Sequence, residues 1–220
     1  MIIVMQGRVR STRLPGKGFF TFFGQTIWER MCDIAMDVRG VNDVVFATGD
    51  LAENHLMRPL VEAKGVRFFA GSEDDVLERF CRALEGTRAD YVIRITCDNY
   101  LIQPDVIEGL AAATTAADAD YGFVEPLSHY GGEVIRIATL RQSWSRGDYS
   151  GLAREHVTWD IRNSTASRKV ALPPDYLGLD HTHSLTLDTI EDLVRMKRLE
   201  AAEPGLLPVR CMDGVRRVAL

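Results

Sequence analysis

Residues 1–18 read MIIVMQGRVRSTRLPGKG, an apolar run that breaks into a loop of glycine, hydroxyl and basic residues. The run Ile2 to Gln6 predicts a short buried strand near the centre of a sheet, delivering the loop to the sheet's carboxyl edge. From Gln6 to Lys17 the loop carries four fixed cations, Arg8, Arg10, Arg13 and Lys17, with Ser11 and Thr12 among them. Arginine forks, a lysine point charge, hydroxyls and exposed backbone amides suit a polyphosphate. Gly7 and Gly16 would let backbone approach its oxygens closely. The P-loop pattern GxxxxGK[ST] is absent, because Gly18 follows Lys17 and the glycine spacing is wrong. Composition by itself leaves a solvated basic loop equally open.

Outward from this loop, Thr26 to Val38 has Ile27, Met31, Ile34 and Ala35 at helical spacing, and Asp43 to Thr48 reads as a second buried strand. The alternation continues with helix Glu53 to Lys64, strand Val66 to Ala70, helix Val76 to Glu85 and strand Tyr91 to Thr96. Helix Pro104 to Ala117 follows, with proline in its first turn. Strands alternating with helices predict an α/β fold, a doubly wound and mostly parallel sheet. Residues 121–137 are less regular and read as a small insertion, an excursion over the ligand mouth or toward a partner subunit, ending in a strand-like EVIRI. Beyond it, Leu140 to Trp144 and Leu152 to Ile161 read as helices, Lys169 to Leu172 and Ser184 to Leu187 as strands, and Thr189 to Glu203 as a closing helix. Without repeats or a long linker, residues 1–220 are expected to form one domain.

A formal net charge of −5 removes the broad positive field that nucleic-acid binding needs. The four cysteines, Cys32, Cys81, Cys97 and Cys211, form no CxxC pair, so neither a zinc ribbon nor a dithiol redox centre is indicated. Reduced thiols and a cytoplasmic location are the expectation. Arginines interrupt the first apolar run long before the ~20 residues of a membrane span, so no signal peptide and no membrane association are expected.

Triphosphate chemistry calls for Mg²⁺, which takes one or two protein carboxylates and keeps several waters. Asp98 follows the strand YVIRIT directly, at the edge where ligands gather in open α/β sheets, and Asp188 ends HSLTL in the same way. A helix cap or turn carboxylate is the alternative for either one. Ser72, ahead of a helix with acidic first-turn residues, reads as an N-cap. His181 and His183 lack further ligands for a zinc site. Asp118 and Asp120 imitate a DxD motif, but at a helix end. Cys97 reads as a small buried hydrophobe.

The string STRLPGK, residues 11–17, is similar to the CMP-sugar synthetases, a cytidylyltransferase family, and most of all to the CMP-KDO synthetases and the spore-coat polysaccharide branch. RITCDNYLIQPDVI resembles that family's RITGDCPLIDPEVI, SLTLDTIEDL resembles its RLTVDTPEDL, and GSEDDVLERF and REHVT resemble the spore-coat branch. The resemblance implies the Rossmann-like nucleotide-diphospho-sugar transferase fold and transfer of CMP from CTP, with release of pyrophosphate, to an acidic sugar or phosphonate-like acceptor for surface polysaccharide. It implies that Arg8 and Lys17 hold the CTP phosphates and, with Asp98, carry catalysis. Gln6, Gly7, Ser11, Thr12 and Arg13 complete the loop, Asp98 and Asp188 bind Mg²⁺, and Ser72 lies near the base. Arg154, Glu155 and His156 would meet the acceptor, and a homodimer is implied. Departures are Arg10 for a glycine, Cys97 and Tyr100 for a glycine and proline, Gly49 for a serine, and Ser184 for an arginine. A glycosyltransferase that consumes a nucleotide-sugar, or a degenerate nucleotide-binding paralogue, is the alternative.

Overall fold

A computed structural model describes residues 1–100, 102–125, 132–173 and 186–202. The predicted opening strand is β1, Ile2–Gln6, and it lies between two parallel neighbours, β4 (Asp43–Gly49) and β6 (Tyr91–Thr96). The two remaining early strands, β2 (Thr21–Phe22) and β3 (Gln25–Thr26), make a small hairpin of their own. Strand β1 is apolar and buried from Ile2 to Met5 because both of its faces are covered. Ile3 and Met5 join one core with Met31 and Ile34, while Ile2 and Val4 join a second with Leu77 and Phe80. Two cores on opposite faces are what a doubly wound sheet requires.

Helix α1, Ile27–Asp37, supplies the first of those faces. Thr26 begins it with a capping box, its hydroxyl accepting from Glu29 N at 3.2 Å while the Glu29 carboxylate accepts from Thr26 N at 2.9 Å. Such a cap is worth about 1 kcal/mol against alanine. The expected helix from Glu53 is instead a 3-10 turn, Ala52–Met57, followed by the short α2, Arg58–Glu62. Pro59 has no N–H to donate and is tolerated only in a helix's first turn, so a new helix starts there. β5 is Arg67–Gly71, α3 is Val76–Ala83 and α4 is Pro104–Ala116.

Among the described residues the main sheet has seven strands, in the order β5-β4-β1-β6 and then Glu133–Arg136 (β8), Tyr121–Val124 (β7) and Lys169–Leu172 (β9). The segment read as an excursion starts and ends inside it: β7 (Tyr121–Val124) and β8 (Glu133–Arg136) are antiparallel to each other, and β8 is antiparallel to β6. Helix α5, Ile137–Ser145, follows, and β9, Lys169–Leu172, runs parallel to β7. The single helix expected over 152–161 is two, α6 (Gly151–His156) and α7 (Trp159–Asn163). They part at Val157, which has φ +52°. Helix α8 is Ile190–Ala202. From β1 the chain winds outward through β4 and β5, then crosses back to β6 on the other side of β1. That reversal leaves a crevice at the carboxyl ends of β1 and β6, the usual ligand position in such sheets.

Candidate active site

The loop after β1 is built rather than merely solvated. Gly16 N donates to Val9 O at 3.0 Å, Leu14 N donates to Ser11 Oγ at 3.2 Å, and the Leu14 side chain is buried. Asn54, fully buried in the 3-10 turn, accepts from Val9 N at 2.8 Å and donates to Gly49 O at 2.9 Å, fastening the loop to the end of β4. Trp28 of α1 wedges beneath it. A Cβ at Gly7 would lie 2.3 Å from the indole and one at Gly18 only 1.7 Å, so both glycines serve this close approach.

Two carboxylates meet at the crevice. Lys17 Nζ donates to Asp98 Oδ2 at 3.0 Å and to Asp188 Oδ1 at 2.9 Å, and Arg13 pairs with the same Asp188 oxygen at 3.0 Å. Backbone pairing explains why residues so distant in sequence converge. Thr186 bridges Asn99, and Leu187 N donates to Asp98 O at 2.9 Å, stitching the segment before α8 to the end of β6. The Asp192 carboxylate then accepts from Asp188 N and Thr189 N, both at 2.9 Å. Burial would raise the Asp192 carboxyl, but those two backbone donors and Arg195 outweigh it and hold it below its ordinary value.

These groups border a cleft of about 620 Å³. Gln6, Gly7, Arg8, Ser11, Thr12, Arg13 and Lys17 line it, with Asp98 and Asp188 beside them. Arg154, Glu155 and His156 of α6 line the same cleft. The expected site residues therefore converge, with one exception in position. Ser72 is not part of the wall: its hydroxyl accepts from Asp75 N at 3.0 Å and its carbonyl accepts from Arg79 at 2.6 Å, while Glu73 and Asp74 face the cleft instead. Asp75 is the N-cap of α3.

The residues fit a hard divalent cation. Asp98 Oδ1 is buried with no hydrogen-bond partner, and the second carboxylate stands across the same lysine. Among the described residues no cluster of three or more His, Cys, Asp or Glu could cage a metal. Two carboxylates suit an ion that draws the rest of its shell from phosphate and water.

A family model described as cytidylyltransferase matches residues 1–203. The chain belongs to the cytidylyltransferase family. It is accordingly a nucleotidyltransferase that uses CTP. The chain is 28% identical over 207 residues to the spore coat polysaccharide biosynthesis protein SpsF of Bacillus subtilis, covering 90% of this chain and 85% of that one. It is 27% identical to a 3-deoxy-manno-octulosonate cytidylyltransferase from an Anaeromyxobacter species, covering 92% and 97%. A solved cytidylyltransferase from Leptospira borgpetersenii superposes with a TM-score of 0.80 at 23% identity, covering 91% of this chain and 87% of that one, a likeness of fold.

This cytidylyltransferase also has a part of its cleft that motif reading passed over. Arg94 lines it, donating from Nε to Gln6 Oε1 at 3.0 Å and from Nη1 to Glu133 of β8. Glu133 is buried and also accepts from the hydroxyls of Tyr121 and, at 2.7 Å, Thr158. Burial alone would raise the Glu133 carboxyl, yet Arg94 and the two hydroxyls together hold it below its ordinary value. A charged residue inside the apolar runs YVIRIT and EVIRI was the available signal. Arg79, buried beside Glu73, is a second cleft cation, its guanidinium lowered by burial and bonded to the carbonyls of Ser72 and Glu73.

The cytidylyltransferase's departures from the family pattern have local reasons. Tyr100 is buried, stacks edge-on against Phe22 and donates to Phe22 O at 2.8 Å. Cys97 is a buried core residue. Gly49 leaves room for Glu73, whose Oε2 lies 1.5 Å from where a Cβ would stand. The DxD imitation is tied up elsewhere, with Asp118 on Arg136 and Arg168 and Asp120 on Thr139. His181, His183, Ser184 and Cys211 lie outside the described residues. Among the described residues no helix is long and apolar enough to cross a membrane.

Proposed function

We propose that this enzyme transfers CMP from CTP to an acidic sugar or a similar small acid, releasing pyrophosphate. The observation that carries the reading is the lysine-bridged pair Asp98 and Asp188, set against the cationic loop at one end of a single cleft. An acceptor hydroxyl attacks the α-phosphorus in line and pyrophosphate leaves, so the protein's contribution is positioning and charge compensation. Arg8, Arg13, Lys17 and the loop amides balance the triphosphate and fix its orientation, and Ser11 shapes the turn that presents those amides. Arg154, Glu155 and His156 orient the acceptor. Asp98 and Asp188 would hold Mg²⁺, which when bound neutralises phosphate charge. The resemblance to SpsF supports a surface polysaccharide as the destination of the product.

The test is to offer each of the four nucleoside triphosphates with a panel of acidic sugars and to read pyrophosphate. Release that requires both CTP and an acidic acceptor is expected. Consumption of a ready-made nucleotide-sugar, or nucleotide binding with no pyrophosphate from any pair, would overturn the reading in favour of a glycosyltransferase or a silent paralogue.

A further inference from the structure

Resting on the acidic-acceptor reading above, we propose that Arg94 is the residue that reads the acceptor's carboxylate, and that buried Glu133 is the positioning residue that aims it. Arginine has five N–H groups in a planar fork. In Arg94 the Nε–H is taken by Gln6 and one Nη1–H by Glu133, and Nη2 has no partner among the described residues. The side chain is 13% exposed and lines the cleft, so a guanidinium clamped on one edge retains donors for a ligand.

The position of Arg94 separates it from the triphosphate machinery. On β6 the side chains at 94 and 96 share one face, because a strand alternates, and both line the cleft, as does Asp98 in the turn just after the strand. Asp98 stands at the strand's end with Lys17. Arg94 lies further back along β6, bonded to Gln6 at the end of β1 and to Glu133 of β8, and to none of Arg8 to Lys17 among the described residues. A fixed cation set apart from the four in the loop suits a second anion, and a planar fork matches a carboxylate.

The same anchor reaches the end of α6, which also lines the cleft. Glu133 accepts from Thr158, which directly follows the Val157 corner after α6. That corner is a γ-turn: Val157 has φ +52° and ψ −55°, and Thr158 N donates to His156 O. Such a turn with positive φ is strained, by about 1–3 kcal/mol, and persists only where its surroundings impose it. Glu133 is part of what imposes it. One buried carboxylate thus sets both the Arg94 fork and the backbone that carries His156, two groups facing the same bound acceptor.

Arg94→Lys is the direct test, since lysine can still pair with Glu133 but cannot also bond Gln6 and offer a second donor edge. The probes are 3-deoxy-manno-octulosonate and N-acetylneuraminate with their C1 carboxamides, read by pyrophosphate release, with CTP binding measured calorimetrically. The wild type should favour acid over carboxamide by at least about tenfold in kcat/KM. In Arg94→Lys most of that preference should vanish through a raised acceptor KM, with CTP affinity unchanged within about twofold. Glu133→Gln should raise the acceptor KM in the same direction while leaving kcat nearly unchanged, a split that loss of packing would not give. Removing one partner of a buried pair can unfold a protein. Arg94→Gln with Glu133→Gln, which buries no charge, therefore serves as the folded control and should show the same loss of discrimination. An undiminished acid preference in Arg94→Lys, or an equal loss of CTP affinity, would overturn the proposal. Wild-type protein that uses the carboxamides as well as the acids would sink the acidic-acceptor reading itself, and that result is seen before any variant is made.

Discussion

Asp98 and Asp188 share one ammonium, that of Lys17, whose Nζ lies 3.0 Å from one carboxylate and 2.9 Å from the other. Because Asp98 Oδ1 is buried without a partner, a neutral amide there would remove charge while keeping shape. Asp98→Asn is therefore expected to lower CTP-dependent pyrophosphate release by about a hundredfold or more and to weaken Mn²⁺ binding. A circular dichroism spectrum matching wild type would accompany it. Turnover retained in that variant would remove Asp98 from the reaction.

Lys17→Met tests the bridge from the other side. Without the ammonium, Arg13 is the only described cation left on the pair, touching Asp188 alone. Two carboxylates facing each other repel, so the thermal midpoint should fall in a metal-free buffer and recover when Mg²⁺ or Mn²⁺ is added. Turnover should drop in the same variant, since the loop loses a phosphate-balancing charge. A midpoint insensitive to divalent ions would show that the carboxylates are not a cation site.

The parts of this structure that were legible in the sequence are those in which local pattern and fold agree. β1, β6 and β9 span the residues that the sequence pattern predicts for them, and Asp98 is found just past the end of β6 because that strand's bounds were read correctly. The illegible parts depend on contacts between distant segments. Nothing near Glu133 in the chain announces that its carboxylate will meet Arg94, Tyr121 and Thr158, so EVIRI read as a piece of an insertion rather than as a strand paired with β6. Helical spacing ran straight through Val157, because the turn there is imposed by packing and not by a glycine or proline. Ser72 illustrates a different limit. A serine three residues before an amide can satisfy it from outside the helix, and only the geometry shows that Asp75 takes the cap.

Gly49 and Glu73 form a compensated pair, and that is open to a rescue experiment. A serine at 49 would put its Cβ on Glu73 Oε2, forcing the carboxylate away from Asn54 and Arg8. Overpacking of this kind costs about 1–3 kcal/mol. Gly49→Ser should lower the midpoint of urea unfolding accordingly, and Glu73→Ala in the same chain should recover most of the loss. Equal stability of Gly49→Ser and wild type would show that the carboxylate has another place to go.

The thiols give a pH dependence whose sign can be worked out. Burial first, and the neighbouring Asp33 carboxylate next, push the Cys32 thiol up to about 12; burial likewise pushes Cys81 up to about 12 and raises Cys97 well above the ordinary thiol value. In the unfolded chain these thiols ionise near ~8.5. Between that pH and about 12 the unfolded state has lost protons that the folded state retains at Cys32 and Cys81. Their contribution is thus fully present below the unfolded value and is lost as pH rises, at a limiting slope of ~1.4 kcal/mol per pH unit for each thiol. Urea midpoints should decline above about pH 9, and Cys32→Ala with Cys81→Ala should flatten the decline. In a Cys211→Ser background, iodoacetamide at neutral pH should label the native protein only at the rate of global unfolding, because the thiolate is the reactive form and the folded state suppresses it. Rapid labelling of native protein would mean that at least one of these cysteines is open to solvent and ionised, contrary to its burial in the core.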